Sequence, residues 1–234
     1  MMKPIAIVTG ASTGIGRSLA IKLSSTYLVY LVSRNIDKLK KVSDEILAMG
    51  NECKIVVADI TKHESASDIY SKIDNKQSVE LLINNAGKAI FKDISNMSID
   101  DWDDQVNVNL RGAFIMSKMF IDDLKSKKNG TIVFTNSVAG LQPYKDSTAY
   151  VASKHGLRGF ASSLREELRE YNIKVISVYP GAIDTPLWDD MEMDSLRSEM
   201  MSSDDVADIV VNSINSPNNC TVEEIVLRRV QGDF

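Results

Sequence analysis

Ile5-Ala6-Ile7-Val8-Thr9-Gly10-Ala11-Ser12-Thr13-Gly14-Ile15-Gly16 leads directly into Arg17-Ser18-Leu19-Ala20. A branched apolar run, a glycine-rich turn and then helical spacing read as strand, turn and helix in that order. Glycine allows positive φ and close backbone approach, while a helix start offers unpaired N–H groups and a partial positive charge. Such a turn can hold a pyrophosphate. Its spacing is wider than the common Gly-x-Gly-x-x-Gly, with three residues between Gly10 and Gly14. No Gly-Lys-Ser/Thr follows, which argues against a nucleoside-triphosphate loop.

Working outward, short Val/Ile-rich runs recur at Tyr27–Val32, Lys54–Ala58, Leu81–Asn84, Thr131–Thr135, Lys174–Val178 and Glu224–Leu227. Helical periodicity fills the gaps, at Arg17–Ser25, Asp37–Met49, Glu64–Lys76, Ile99–Lys127, Ala149–Tyr171 and Asp204–Ser213. Strands apolar on both faces that alternate with helices specify a parallel sheet covered on each side. We therefore expect a doubly wound Rossmann-type α/β fold with a seven-stranded, mostly parallel sheet. No linker, repeat or low-complexity run divides the 234 residues, so residues 1–234 read as one domain. Ligands are expected off the carboxyl ends of the strands.

A net charge of −5, with Lys and Arg scattered along helix faces, argues against a nucleic-acid surface. The apolar N-terminal run is too short for a signal sequence, and no stretch reaches membrane-spanning length, so a cytoplasmic location without membrane contact is expected. Cys53 and Cys220 are far apart and both fall in expected strands, as small buried hydrophobes. His63 and His155 have no partners at ligand spacing, so no metal site is expected and both read as surface residues.

Tyr150-Val151-Ala152-Ser153-Lys154 places a phenol and an ammonium four residues apart on one helix face. A phenol titrates near pH 10, so serving as acid and base near neutrality takes a shift of roughly three units, about 4 kcal/mol. Lys154 is placed to supply part of it, although an amphipathic surface helix explains the same spacing.

Taken together, Thr9-Gly10-x-x-x-Gly14-Ile15-Gly16, Asn84-Asn85-Ala86-Gly87, Asn109, Ser137, Tyr150-x-x-x-Lys154 and Pro180-Gly181 resemble the short-chain dehydrogenase/reductase family over nearly the whole chain. The resemblance implies a cofactor cradle of Gly10, Ser12, Thr13, Gly14, Ile15 and Gly16. Ser33 and Arg34, at the end of the second strand where a carboxylate would accept ribose hydroxyls, resemble the NADP pattern, with Arg34 meeting a 2′-phosphate. Asp59, followed by Ile60, resembles the adenine-contacting acid, or else caps the following helix. By the same resemblance Asn85, Ala86 and Gly87 lie near the adenine ribose, and Pro180, Gly181, Ile183 and Thr185 near the nicotinamide amide.

The catalytic set implied is Asn109, Ser137, Tyr150 and Lys154. Ser137 holds the substrate oxygen and Tyr150 transfers the proton. Lys154 bonds the nicotinamide ribose, and Asn109 distorts its helix and holds a water that extends the proton path. The activity implied is hydride transfer between NADP(H) and a carbonyl or alcohol substrate. The alternatives are a 3-oxoacyl or hydroxy-acid enzyme using NAD(H), and a catalytically silent dinucleotide-binding regulator. Residues 186–203, with Leu187, Trp188, Met191, Met193, Leu196, Met200 and Met201, read as a lid over an apolar substrate or as core packing. Gln142, Tyr144 and Lys145 join it in deciding the substrate. The partners expected are a small-molecule substrate and further copies of the chain, as a homodimer or homotetramer paired through the helices at Ile99–Lys127 and Ala149–Tyr171.

Overall fold

A computed structural model describes residues 3–189, 194–217 and 219–232. Seven strands form one sheet: β1 (Ile5–Thr9), β2 (Leu28–Ser33), β3 (Cys53–Val57), β4 (Val79–Asn84), β5 (Gly130–Thr135), β6 (Ile173–Pro180) and β7 (Glu224–Leu227). Their order is β3-β2-β1-β4-β5-β6-β7, and every pairing is parallel, so the sheet is more uniform than expected. Strand order reverses between β1 and β4, which opens a crevice at their carboxyl ends. The glycine turn sits there.

Helices α1 (Gly14–Leu23), α2 (Ile36–Ala48) and α8 (Ser203–Ile214) are on one side of the sheet; α3 (His63–Ser71), α4 (Ile99–Val106), α5 (Gly112–Lys127) and α6 (Thr148–Leu168) are on the other. A four-residue α7 spans Asp194–Arg197. Alternate side chains of each strand feed two cores. Ile7, Tyr30, Leu82 and Phe134 pack with Phe120 and Leu157, whereas Val8, Leu31, Ile83 and Val133 pack with Leu19, Leu39 and Val210. Side chains supply several helix starts: Asn35 accepts from the Lys38 N–H at 3.0 Å, Ser98 and Asp101 form a reciprocal box, and Ser202 accepts from the Asp205 N–H at 3.0 Å. Across the sheet edge, buried Arg165 of α6 donates to the carbonyls of Val175 and Glu223, fastening the approach to β7.

Three expectations change. Cys220 is exposed and outside any strand, because its neighbours form a turn instead of a ladder; Cys53 is half-buried on β3. The helix read over Glu64–Lys76 ends at Ser71, with a short 3₁₀ turn at Lys76–Ser78. The helix read over Ile99–Lys127 is interrupted by a π turn at Asn107–Arg111, for reasons given below. Among the described residues no helix is long and apolar enough to cross a membrane, and no group of three or more His, Cys, Asp or Glu is placed to hold a metal.

Candidate active site

Hydrogen bonds from Thr9, the last residue of β1, lock the floor of the crevice. Its hydroxyl donates to the Ile83 carbonyl at 3.1 Å and accepts from the N–H groups of Asn85 and Ala86 at 3.0 and 3.1 Å. The Asn85 amide donates back to the Thr9 carbonyl at 3.2 Å. This brings Gly10 so close to β4 that an added Cβ would stand 2.8 Å from the Ala86 Cα, and its φ of +64° disfavours a side chain independently. Thr13 then starts α1 without a side-chain bond to its own helix. The first helical N–H groups therefore face the crevice.

A cavity of about 830 Å³ runs from this turn along the carboxyl edge of the sheet. Gly10, Ser12, Thr13, Gly14 and Ile15 line it, with Ser33, Arg34, Asp59 and Ile60 at one end and Asn85, Ala86 and Gly87 beneath. The Ser12 and Ser33 hydroxyls are 2.9 Å apart, beside Arg34. Pro180, Gly181, Ile183 and Thr185 line the wall after β6, and the Thr185 methyl group lies over Gly14. Gly16 does not line the cavity: it is buried, and a side chain there would run into the Gly10 carbonyl, so it serves the packing of α1 on β1.

Asp59 does line the cavity, but it does not cap α3. Its carboxylate accepts from the Thr61 N–H and hydroxyl at 3.0 and 2.8 Å, closing a turn ahead of the helix, whose N-cap is Lys62. Burial raises the carboxyl's pKa, yet those two bonds, with Arg34 and Lys62 nearby, hold it below the usual range.

At the other end of the cavity Ser137, Tyr150 and Lys154 converge. Ser137 follows β5; Tyr150 and Lys154 project from the first turns of α6. The Lys154 ammonium donates to the Thr135 carbonyl at 2.9 Å and stands 5.7 Å from the Tyr150 ring centre. The phenol is not held low, contrary to the sequence expectation. Burial pushes Tyr150 up and a hydrogen bond with the Ser137 hydroxyl pulls it back, with the Lys154 ammonium over the ring. Burial also pushes the Lys154 amine down to about 8. Both groups have left water, and desolvation is the larger effect.

Asn109 is 1 % exposed and does not line the cavity. Its side chain accepts from the Lys88 N–H at 2.8 Å and donates to the Lys88 carbonyl at 2.8 Å and to the Ser153 hydroxyl at 2.9 Å. The π turn is where this reach is made, so the local distortion aligns the loop after β4 with α6. Two positioning residues escaped the sequence reading. Asn136 accepts from the Ser137 N–H at 2.9 Å and donates to the Lys154 carbonyl at 3.1 Å, joining the segment after β5 to α6. Ser153 donates to the Tyr150 carbonyl at 2.8 Å, and its place inside the Tyr150–Lys154 interval was the available signal.

The mouth of the cavity is lined by Ile90, Phe91, Val138, Tyr144, Lys145, Leu187 and Trp188. Phe91 was missed; an apolar Ile90-Phe91 pair in a polar loop at a strand's carboxyl end could have flagged it. Gln142 does not reach the cavity and instead donates to the Tyr144 hydroxyl at 2.7 Å. Of the expected lid, Leu187 and Trp188 line the opening, whereas Met200 is buried and Met201 packs on the α1/α8 core. Leu196 is half-buried and outside the cavity lining; Met191 and Met193 lie outside the described residues.

The short chain dehydrogenase family model matches residues 4–195. The chain belongs to the short-chain dehydrogenase/reductase family. Sepiapterin reductase of Chlorobaculum tepidum is 32% identical over 242 residues, covering 100% of this chain and 99% of that protein. An alcohol dehydrogenase of the archaeon Thermococcus sibiricus, solved with 5-hydroxy-NADP, superposes with a TM-score of 0.89 at 28% identity, covering 98% of this chain and 97% of that one. A metagenomic short-chain oxidoreductase solved with NADP gives 0.85 at 31%, covering 98% of each chain. As a short-chain dehydrogenase/reductase, this chain has a crevice whose residues suit a dinucleotide: a glycine-rich turn, a helix start and a long groove at the strand-order reversal.

Proposed function

We propose that this oxidoreductase is an NADP(H)-dependent carbonyl reductase, running in reverse as an alcohol dehydrogenase, with Tyr150 as general acid and base. The observation that carries the reading is the convergence of Ser137, Tyr150 and Lys154 at one end of a single cavity whose other end holds Ser12, Ser33 and Arg34. The NADP-bound relatives at 28% and 31% identity support the cofactor.

Gly10 to Ile15 would take the pyrophosphate and Arg34, with Ser12 and Ser33, the 2′-phosphate. When bound, the dinucleotide supplies or accepts the hydride. The Ser137 and Tyr150 hydroxyls bond the carbonyl oxygen of the substrate. Because burial keeps the Tyr150 phenol protonated, it enters reduction as the acid and gives its proton to that oxygen as the carbonyl carbon becomes an alcohol. The charge left on the phenolate is opposed by the Lys154 ammonium, oriented by the Thr135 carbonyl. The same group would meet the nicotinamide ribose, tying ring position to proton transfer. Asn109 acts by holding the Lys88 backbone and Ser153.

The deciding experiment is Tyr150→Phe. NADPH should bind as before, while turnover across a carbonyl panel falls by at least the roughly 10² typical of a lost general acid. Turnover near that of the unaltered enzyme overturns the assignment. Assembly through the α5 and α6 faces belongs to the same proposal, supported by half-exposed Phe114 against Phe160 at 6.0 Å between ring centres. A monomer in sedimentation at micromolar concentration would refute it.

A further inference from the structure

The Phe91 ring centre lies 5.7 Å from that of Tyr150, with planes inclined at 56°, and 5.9 Å from that of Trp188, with planes only 5° apart. Phe91 comes from the loop after β4 and Trp188 from the turn after β6, nearly a hundred residues along the chain, so no local geometry forces the two planes to agree. The Trp188 indole N–H donates to the Ile183 carbonyl at 2.9 Å, which fixes the plane of its ring and uses up its one polar group. Both side chains are only half-buried, unlike the core aromatics Tyr30, Phe120, Phe134 and Tyr179. The cavity has a wall of three rings, whose inner member is the catalytic phenol itself.

Ring faces carry negative charge and ring edges positive charge, so they favour a flat aromatic partner, offset or edge-on, over an aliphatic one of equal area. We propose that Phe91 and Trp188 are specificity residues selecting carbonyl compounds conjugated to a planar ring. The ring lies along this wall while the carbonyl oxygen rests between Ser137 and Tyr150. The proposal rests on the carbonyl reductase reading and names its substrate class. Ile90, Val138 and Leu187 complete an apolar surround that tolerates variation beyond the ring.

Benzaldehyde and cyclohexanecarbaldehyde form a matched pair, each an aldehyde on a six-membered ring, one flat and one puckered. The measurement is kcat/KM for both with NADPH, in the unaltered enzyme, Phe91→Leu and Trp188→Leu. Each leucine keeps apolar bulk and removes a ring face. The benzaldehyde-to-cyclohexanecarbaldehyde ratio should fall about tenfold in each variant, with the larger loss on benzaldehyde. Comparing ratios between enzymes cancels the intrinsic reactivities of the aldehydes. An unchanged ratio, or equal loss on both aldehydes, overturns the proposal.

A second readout needs no turnover. The chain has two tryptophans, so Trp102→Phe leaves Trp188 as the reporter. In that background, with Tyr150→Phe added to stop chemistry, benzaldehyde should quench the fluorescence and cyclohexanecarbaldehyde should not. Quenching without reduction by the enzyme that retains Tyr150 keeps the aromatic site and ends the reductase reading. Reduction of both aldehydes without quenching keeps the reductase and ends the aromatic site.

Discussion

The two ends of the cavity are built differently. The cradle end is mostly backbone: the β1 turn, the start of α1 and the Asn85-Ala86-Gly87 stretch, clamped by Thr9 and leaving no room for a Cβ at Gly10. The mouth is side chain: Phe91, Tyr144, Lys145 and Trp188, from three separate loops. Backbone geometry admits few substitutions and leaves a mark in sequence as glycines and small residues at fixed intervals. Side chains on loops can be exchanged one at a time at little cost to the fold. A shared coenzyme at one end and a private substrate at the other would require such a division.

The sharpest way to break the comparison is Gly10→Val. A branched residue at φ +64° that also meets Ala86 should cost about 4 kcal/mol in strain and overpacking, read by urea denaturation, with NADPH binding lost in whatever folds. Undiminished stability in the Gly10→Val variant would mean that the cradle is as permissive as the mouth.

Next in size is Lys154→Met, where the two ends meet. Turnover should fall at least about 10²-fold, while stability at pH 7 rises by about 2 kcal/mol, because burial penalises the ammonium by more than its bond to Thr135 returns. The sign follows from the amine moving from 10.5 to about 8 on folding. Between those values the unfolded chain binds the extra proton and the folded chain does not, so stability climbs as pH rises through that window. Lys154→Met should flatten the climb in pH-dependent denaturation. On the proposed mechanism carbonyl reduction uses the charged amine, so its rate should decline as pH rises through about 8. A rate flat to about pH 10, the ordinary lysine range, would mean that burial does not depress the Lys154 amine in the working enzyme.

Arg34→Ala should weaken NADPH by roughly ten- to hundredfold, the worth of a charge-assisted contact of about 1.5–3 kcal/mol, and leave NADH within about twofold. Parallel losses for both coenzymes would make Arg34 a structural member of the cradle. Smallest is Tyr144→Phe at the mouth. Losing the hydroxyl that meets Gln142 should shift stability by less than about 0.5 kcal/mol and leave coenzyme affinity unaltered, as calorimetry can check. A larger change would show that the mouth, too, is part of the scaffold.

The same contrast governs what was legible before any coordinates. Strand positions came through to within a residue or two because buried parallel strands must be continuously apolar, and the glycine turn because only glycine fits it. Tyr150 and Lys154 were legible because helical spacing puts them on one face. The π turn was not, since Asn107-Val108-Asn109 shows only a weak helix former, and the widening depends on Lys88 and Ser153 arriving from elsewhere. The direction of the Tyr150 shift was misread for a related reason: a neighbouring charge shows in sequence, while the depth of burial does not. Phe91 and Trp188 were beyond reach as a pair, because their stacking exists only once two distant loops have folded together.

Thr9 has one further consequence. All three of its hydroxyl bonds reach across more than seventy residues, to Ile83, Asn85 and Ala86. On the ribosome, β1 must therefore wait for its inner neighbour until β4 has left the exit tunnel, and β2 and β3 emerge onto an unfinished edge. Loop closure over that distance precedes any reward, so β1 joins β4 at a larger entropic cost than it joins β2.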